Sequence, residues 1–316
     1  MSFDHSISRR SVFKGAGGLA VASALGAGAA LGATTPAHAA GLDVVEHQTY
    51  GRMEYYKVST PSIAWKPRVN VLLPDGYDSG RRYPVLYLLH GGAQNFMKFD
   101  KEDDIRGLTA GRDLIVVMPD GGIAGWYCNP VTANLGPRNW ETFHIEELIP
   151  WVDATFRTFP EQAGRAVSGF SMGGFGALKY TAKYYGHFAS VSSHSGPASL
   201  RSINGAVAHW ANASSTIDLG GGTVYGTPWD EARVSADNPV ERIESYRGKR
   251  IFLVSGTEAF DVNEGFVLPT QREFAAALDR AGIQYERHEE PGGHFVRRER
   301  LQQDIDGVIA HLRKAG

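Results

Sequence analysis

The stretch Gly169-Phe170-Ser171-Met172-Gly173 constrains this chain more than any other. Ala166-Val167-Ser168 before it reads as the end of a strand, and Gly174 to Tyr180 after it reads as the start of a helix. A G-x-S-x-G pattern in that setting calls for a sharp strand-to-helix turn. The small glycines let strand and helix approach closely. The turn lifts the Ser171 hydroxyl clear of the backbone at a helix N-terminus, where the next backbone N–H faces the oxygen of a bound carbonyl group. The chain carries 38 glycines, so the pattern alone is weak. Its flanking strand and helix give it meaning.

Apolar runs and helical periods alternate along the rest of the chain. Arg68 to Leu73 alternates and stops at Pro74. Val85–Leu89 and Leu114–Met118 are continuous apolar runs, the pattern of strands buried on both faces. Phe188–Ser192, Ile251–Val254 and Gln284–Glu289 read as further strands. Phe143 to Phe156 has helical spacing, and Pro150 within it predicts a kink or break. Phe274–Leu278 and Ile305–Leu312 read as helices. This order predicts an α/β fold with a mainly parallel central sheet and helices on both faces. Active groups in such sheets gather in loops at the C-terminal strand ends, and Ser171 sits at one. Pro197 to Lys249, rich in Gly, Ser and Asn, breaks the rhythm; it reads either as a lid over the site or as a solvated insertion.

The N-terminus carries an export signature. Ser8-Arg9-Arg10-Ser11-Val12-Phe13-Lys14 is a paired-arginine signal, Gly15 to Leu31 is rich in Ala and Gly, and Ala37-His38-Ala39 offers a cleavage site. The expected organisation is a twin-arginine signal peptide over 1–39 and a single catalytic domain over 40–316, secreted or held at the cell wall. No later segment is apolar enough for a membrane span. The twin-arginine route carries folded proteins, and the lone Cys128 allows no internal disulfide. Cys128 has no recognisable base beside it and reads as structural. The net charge of −2 does not suggest a nucleic-acid binder.

A serine hydroxyl is a poor nucleophile until a base, an acid and oxyanion donors surround it. In this fold the chain order is Ser, acid, His. Of the six histidines after Ser171, His294 is the best base, because Pro291-Gly292-Gly293-His294 is a tight loop just beyond a strand. Three carboxylates follow the strand Ile251–Val254: Glu258, Asp261 and Glu264. Simple geometry favours a residue soon after the strand end, Glu258 or Asp261, but spacing alone does not choose among the three. The oxyanion donors are expected to be the backbone amides of Gly92, in the loop His90-Gly91-Gly92-Ala93, and of Met172. His90 precedes the nucleophile and is expected to hold that loop by a hydrogen bond. No metal-ligand spacing is visible, and the chemistry requires no cofactor.

In these blocks the chain resembles the esterase D-like branch of the α/β-hydrolases, and within it the secreted antigen 85 mycolyltransferases of mycobacteria. The resemblance runs from about Val69 to the C-terminal helix. It rests on Leu88-Leu89-His90-Gly91-Gly92, Val116-Val117-Met118-Pro119, Trp140-Glu141-Thr142-Phe143, Gly169–Gly173, Tyr225-Gly226, Asp237-Asn238-Pro239, Glu264-Gly265-Phe266 and Gly293-His294. It implies an α/β-hydrolase fold and an esterase or acyltransferase working through an acyl-serine on a small or lipid ester. The acyl acceptor would be water, or a sugar or glycerol hydroxyl as in a mycolyltransferase or diacylglycerol acyltransferase. The family places its catalytic glutamate about ten residues before a phenylalanine that opens the next helix; counted back from Phe274, that selects Glu264. His294 is followed by Phe295-Val296, where the mycolyltransferases carry a serine and a sugar-site tryptophan, so hydrolysis is preferred here. Trp126, Tyr127, Phe175 and Phe266 are the aromatic candidates to line an acyl cleft. The competing class is a non-catalytic cell-wall or matrix binding protein on a hydrolase scaffold.

Overall fold

Each apolar run splits its side chains between two cores. In β4 (Val85–Leu89), Val85, Tyr87 and Leu89 enter one hydrophobic cluster, whereas Leu86 and Leu88 enter the other. In β5 (Ile115–Pro119), Ile115 and Val117 part from Val116 and Met118 in the same way. A strand's period of two makes a continuous apolar run serve two faces.

The computed structural model describes residues 41–258 and 260–316. The export signature therefore lies outside the described residues. A nine-stranded sheet runs in the order β1-β2-β3-β5-β4-β6-β7-β8-β9. Here β1 is Asp43–Tyr50, β2 Met53–Ser59, β3 Arg68–Leu72, β6 Arg165–Phe170, β7 Ser190–His194, β8 Arg250–Gly256 and β9 Glu286–Glu290. Every pairing from β5 through β9 is parallel, and the three pairings that join β1, β2, β3 and β5 are antiparallel. The C-terminal ends of β4, β6, β8 and β9 thus share one sheet edge, where the site forms.

One core lies beneath the short helices α1 (Lys98–Lys101) and α2 (Ile105–Leu108) and the last helix. The other lies beneath most of the remaining helices. The helical stretch expected over 143–156 starts as α3 (Trp140–Thr142), widens into a π-helical turn at Phe143–Leu148 and continues as α4 (Ile149–Thr155). The wide turn just before Pro150 relieves the clash its ring would make with a carbonyl one turn earlier. Next come α5 (Met172–Lys183), α6 (Ser202–Leu219) and α7 (Glu231–Asp237). The last two are α8 (Val262–Ala281) and α9 (Arg298–His311). On α9, Leu301, Ile305 and Val308 lie on one buried face.

Two regions depart from expectation. The stretch 197–249 is largely helical, holding α6, α7 and a 3-10 segment at Pro239–Tyr246. The helix of Phe274 begins twelve residues earlier, at Val262, and runs through Pro269. Phe274 therefore opens no helix, and Glu264 stands in the first turn of α8. No helix among the described residues is long and apolar enough to cross a membrane.

Candidate active site

Ser171 sits on a strained backbone, with φ 55° and ψ −120°. A non-glycine residue holds such angles only where its surroundings impose them. Packing on both sides does so here. A Cβ on Gly169 would lie 2.3 Å from the Gly173 carbonyl, and one on Gly173 would lie 2.1 Å from the Leu89 carbonyl oxygen. Strand β6, strand β4 and helix α5 are thus in backbone contact around the serine. The Ser171 N–H donates to the His194 carbonyl at 2.8 Å, which ties the turn to β7. Met172 is the first residue of α5, so its N–H has no carbonyl one turn earlier in the helix.

His294 reaches the serine from the loop after β9. Its Nε2 lies 2.7 Å from Ser171 Oγ, and its Nδ1 lies 3.2 Å from Glu264 Oε1. Glu264 is fully buried. A carboxylate only accepts, so Nδ1 carries the proton and Nε2 is left to accept from the serine hydroxyl. The Phe170 ring packs against the imidazole, centroids 4.9 Å apart. The structure thus brings Ser171, His294 and Glu264 together.

The other two carboxylates stand elsewhere. Asp261 caps α8, its Oδ1 accepting from the N–H groups of Asn263 at 2.9 Å and Glu264 at 3.3 Å. Glu258 touches the histidine loop through its backbone, its N–H donating to Gly292 O at 3.4 Å. His194 bonds to Asp304 at 3.1 Å beneath the sheet. Cys128 is fully buried, and burial pushes its thiol up to about 12.

Facing the serine is the loop after β4. Gly91 N–H donates to Gln94 Oε1 at 2.9 Å, and Ala93 N–H donates to Ile123 O at 2.7 Å. The Gly92 amide between them has no acceptor among the described residues, and Gly92 lines the cavity with Met172. Two histidines brace this wall. His90 Nε2 accepts from Gly121 N–H at 2.9 Å, its Nδ1 meets Gly91 O at 2.8 Å, and its carbonyl accepts from the Tyr127 hydroxyl at 2.8 Å. His144, absent from the sequence reading, lies 2.7 Å from Asp120 O through Nε2 and 2.9 Å from the Tyr180 hydroxyl through Nδ1. Burial lowers the pKa of both and brings His144 to about 3. Both are therefore neutral at pH 7, each able to donate from one nitrogen and accept at the other.

A cavity of about 440 Å³ opens over Ser171. Ile123, Trp126, Phe170, Trp210 and Ile217 give it apolar walls, and Ser214 and Asn263 add polar groups. Of the four expected aromatics, only Trp126 lines it. Tyr127 turns into the core, where its hydroxyl is spent on His90 O. Phe175 is buried behind Trp126, and Phe266 packs against the outside of Trp210. The sequence reading missed Trp210, Ser214 and Ile217 of α6. Their i, i+4, i+7 spacing was the available signal. Trp126 Nε1 donates to Ser214 Oγ at 2.9 Å, joining α6 to the Trp126 wall. The stretch 197–249 therefore supplies a wall of the cavity.

Comparison with known proteins agrees with this architecture. A family model described as "Putative esterase" matches residues 60–306. Esterase Rv1288 of Mycobacterium tuberculosis is 63% identical over 287 residues, covering 87% of this chain and 63% of that protein. The chain thus spans less than two thirds of that relative's length. Among solved structures, an S-formylglutathione hydrolase from Agrobacterium tumefaciens matches with a TM-score of 0.69 at 17% identity, covering 86% of this chain and 100% of that one. Mycobacterium tuberculosis MPT51 matches with a TM-score of 0.66 at 18% identity, covering 85% and 99%. These likenesses show the α/β-hydrolase fold. The matched span covers most of the sequence, and the chain belongs to this esterase family.

Proposed function

We propose that this protein is an exported serine esterase that cleaves carboxylic esters through an acyl-serine intermediate. The observation that carries the proposal is the hydrogen-bonded line from Ser171 Oγ through the His294 ring to Glu264, at 2.7 and 3.2 Å, beneath an apolar cavity. Ser171 Oγ attacks the ester carbonyl carbon while its proton passes to His294 Nε2. Glu264 stabilises the imidazolium and holds the ring's tautomer. The carbonyl oxygen becomes an anion facing the amides of Gly92 and Met172, at the positive end of α5. Collapse breaks the bond to the alcohol oxygen, which takes the proton from Nε2 and leaves. Water then attacks the acyl-serine, giving its proton to Nε2, and the acid departs as Oγ recovers that proton. No metal or organic cofactor enters these steps.

Family membership and the apolar cavity support an ester with an apolar acyl group. The paired arginines at Arg9-Arg10 and the Ala37-His38-Ala39 motif support export by the twin-arginine route, leaving a catalytic domain from about Ala40 onward. A sugar or glycerol hydroxyl in place of water would make the same site an acyltransferase. The test is turnover of a chromogenic short-chain ester, with and without trehalose or diacylglycerol, alongside fluorophosphonate labelling. Free acid as the main product and labelling lost in Ser171→Ala are expected. Acylated acceptor as the main product would make transfer the principal reaction. Inertness toward both esters and probe would overturn the enzyme reading and favour a binding protein.

A further inference from the structure

Asp261 touches the supports of both the acid and the base. Its Oδ1 caps α8, accepting from Asn263 and Glu264 N–H, so it fixes the helical turn that carries the acid. Its Oδ2 accepts from the backbone N–H of His294 at 3.0 Å. The approach depends on Gly293, since a Cβ there would lie 2.6 Å from Asp261 Oδ2. Burial pushes the Asp261 carboxyl up, but the N–H groups of His294, Glu264 and Asn263 outweigh it and hold the pKa below the usual carboxylate value. The group is therefore an anion at neutral pH, with both oxygens engaged.

The base needs such an anchor. His294 stands on a loop beyond β9, which among the described residues is the outermost strand on its side of the sheet. Glu264 holds only the ring of His294. Arg297 Nη2 donates to the carbonyls of Glu290, Pro291, Gly292 and Gly293, and Glu258 N–H donates to Gly292 O, so the residues before His294 are held, but among the described residues only Asp261 bonds the His294 backbone itself. Asp261 adds the direct tie, joining the His294 backbone to the same first turn of α8 that carries Glu264. The negative charge also sits at the positive end of α8, beside the place where an imidazolium forms during turnover.

We infer that Asp261 is a positioning residue that keeps the acid and the base in register. The inference rests on the acyl-serine reading of the site. A displacement of about 1 Å in such a group can cost about a hundredfold in rate.

Asp261→Ser separates this role from helix capping. Serine caps helices about as well as aspartate. It has no second oxygen for His294. The variant is expected to melt close to the parent and to retain slow hydrogen exchange at the Asn263 and Glu264 amides. The His294 amide should exchange faster, and kcat should fall about 10- to 100-fold with KM within about twofold. Asp261→Ala should lose the cap as well and melt lower. A purely structural role predicts unchanged kcat per folded, fluorophosphonate-titrated enzyme in Asp261→Ser, and that result would overturn the inference. Unchanged exchange at the His294 amide would overturn it too. Exchange reads the tether without turnover, so a parent inert toward esters would remove the acyl-serine reading and leave the tether to be judged on its own.

Discussion

The proposed nucleophile and its proposed base are held in place by different means. Ser171 is fixed by backbone packing: two glycines in van der Waals contact with carbonyl groups, a hydrogen bond to β7, and α5 behind it. That helix is anchored in turn, because Lys179 is fully buried with its ammonium 2.6 Å from Glu141 and 3.3 Å from Asp237. His294 and Glu264 are held by side-chain hydrogen bonds on a loop and a helix end. The nucleophile thus has one available position, whereas the base has a position that single side chains maintain. Substitutions near Ser171 should therefore break folding, and substitutions near His294 should lower rate while leaving the fold standing.

Deleting the chemistry itself should have the largest effect. Ser171→Ala and His294→Ala should each lower kcat about a millionfold on a chromogenic ester while melting near the parent. Next comes the acid. Glu264→Gln should lower kcat about ten-thousandfold, because a neutral amide can no longer hold the imidazolium or its tautomer. Glu258→Gln should stay within about twofold, since its carboxylate bonds to neither the ring nor the helix cap; equal losses in the two variants would contradict the assignment. Gly173→Ala attacks the rigid side instead. Its methyl group would meet the Leu89 carbonyl, so a loss of about 1–3 kcal/mol or more is expected, read by chemical denaturation. An alanine variant as stable as the parent would show that the turn is softer than described.

The smallest effect is a pH dependence on the nucleophile side. His144 has its pKa lowered from 6.5 to about 3 by burial. Below pH 6.5 the unfolded chain takes up a proton at this residue that the folded chain refuses, so His144 costs stability progressively as pH falls toward 3. His144→Gln can still donate to Asp120 O and does not titrate. It should melt below the parent at pH 7.5 and gain on it as the pH drops below 6.5. A gap independent of pH would contradict a neutral, buried His144.

What the sequence revealed follows the same division. The elbow was legible because its glycines are required by backbone contact, which leaves a fixed pattern in the residues. The central strands were legible because burial on both faces forces continuous apolar runs. The hairpin of β1 and β2 was not seen, since β1 is exposed along its whole length and carries no hydrophobic period. Helix α6 was hidden by its Gly, Ser and Asn content and by left-handed residues at Ile203, Asn204 and Gly205 near its start. The acid was ambiguous from spacing, because a helix that runs through Pro269 gives no clear start in the sequence. Trp126 and Tyr127 looked alike as cleft residues. Both take positive φ, and the turn sends the first to the cavity and the second into the core.

The central claim is that Ser171 carries the acyl group during turnover. Its most direct test is to quench the reaction with a chromogenic ester in acid within the first turnover and weigh the intact protein. A mass gain equal to one acyl group, mapped to the peptide containing Ser171 and absent from Ser171→Ala, is the predicted result. Continued turnover with no adduct, or the same adduct on Ser171→Ala, would contradict it.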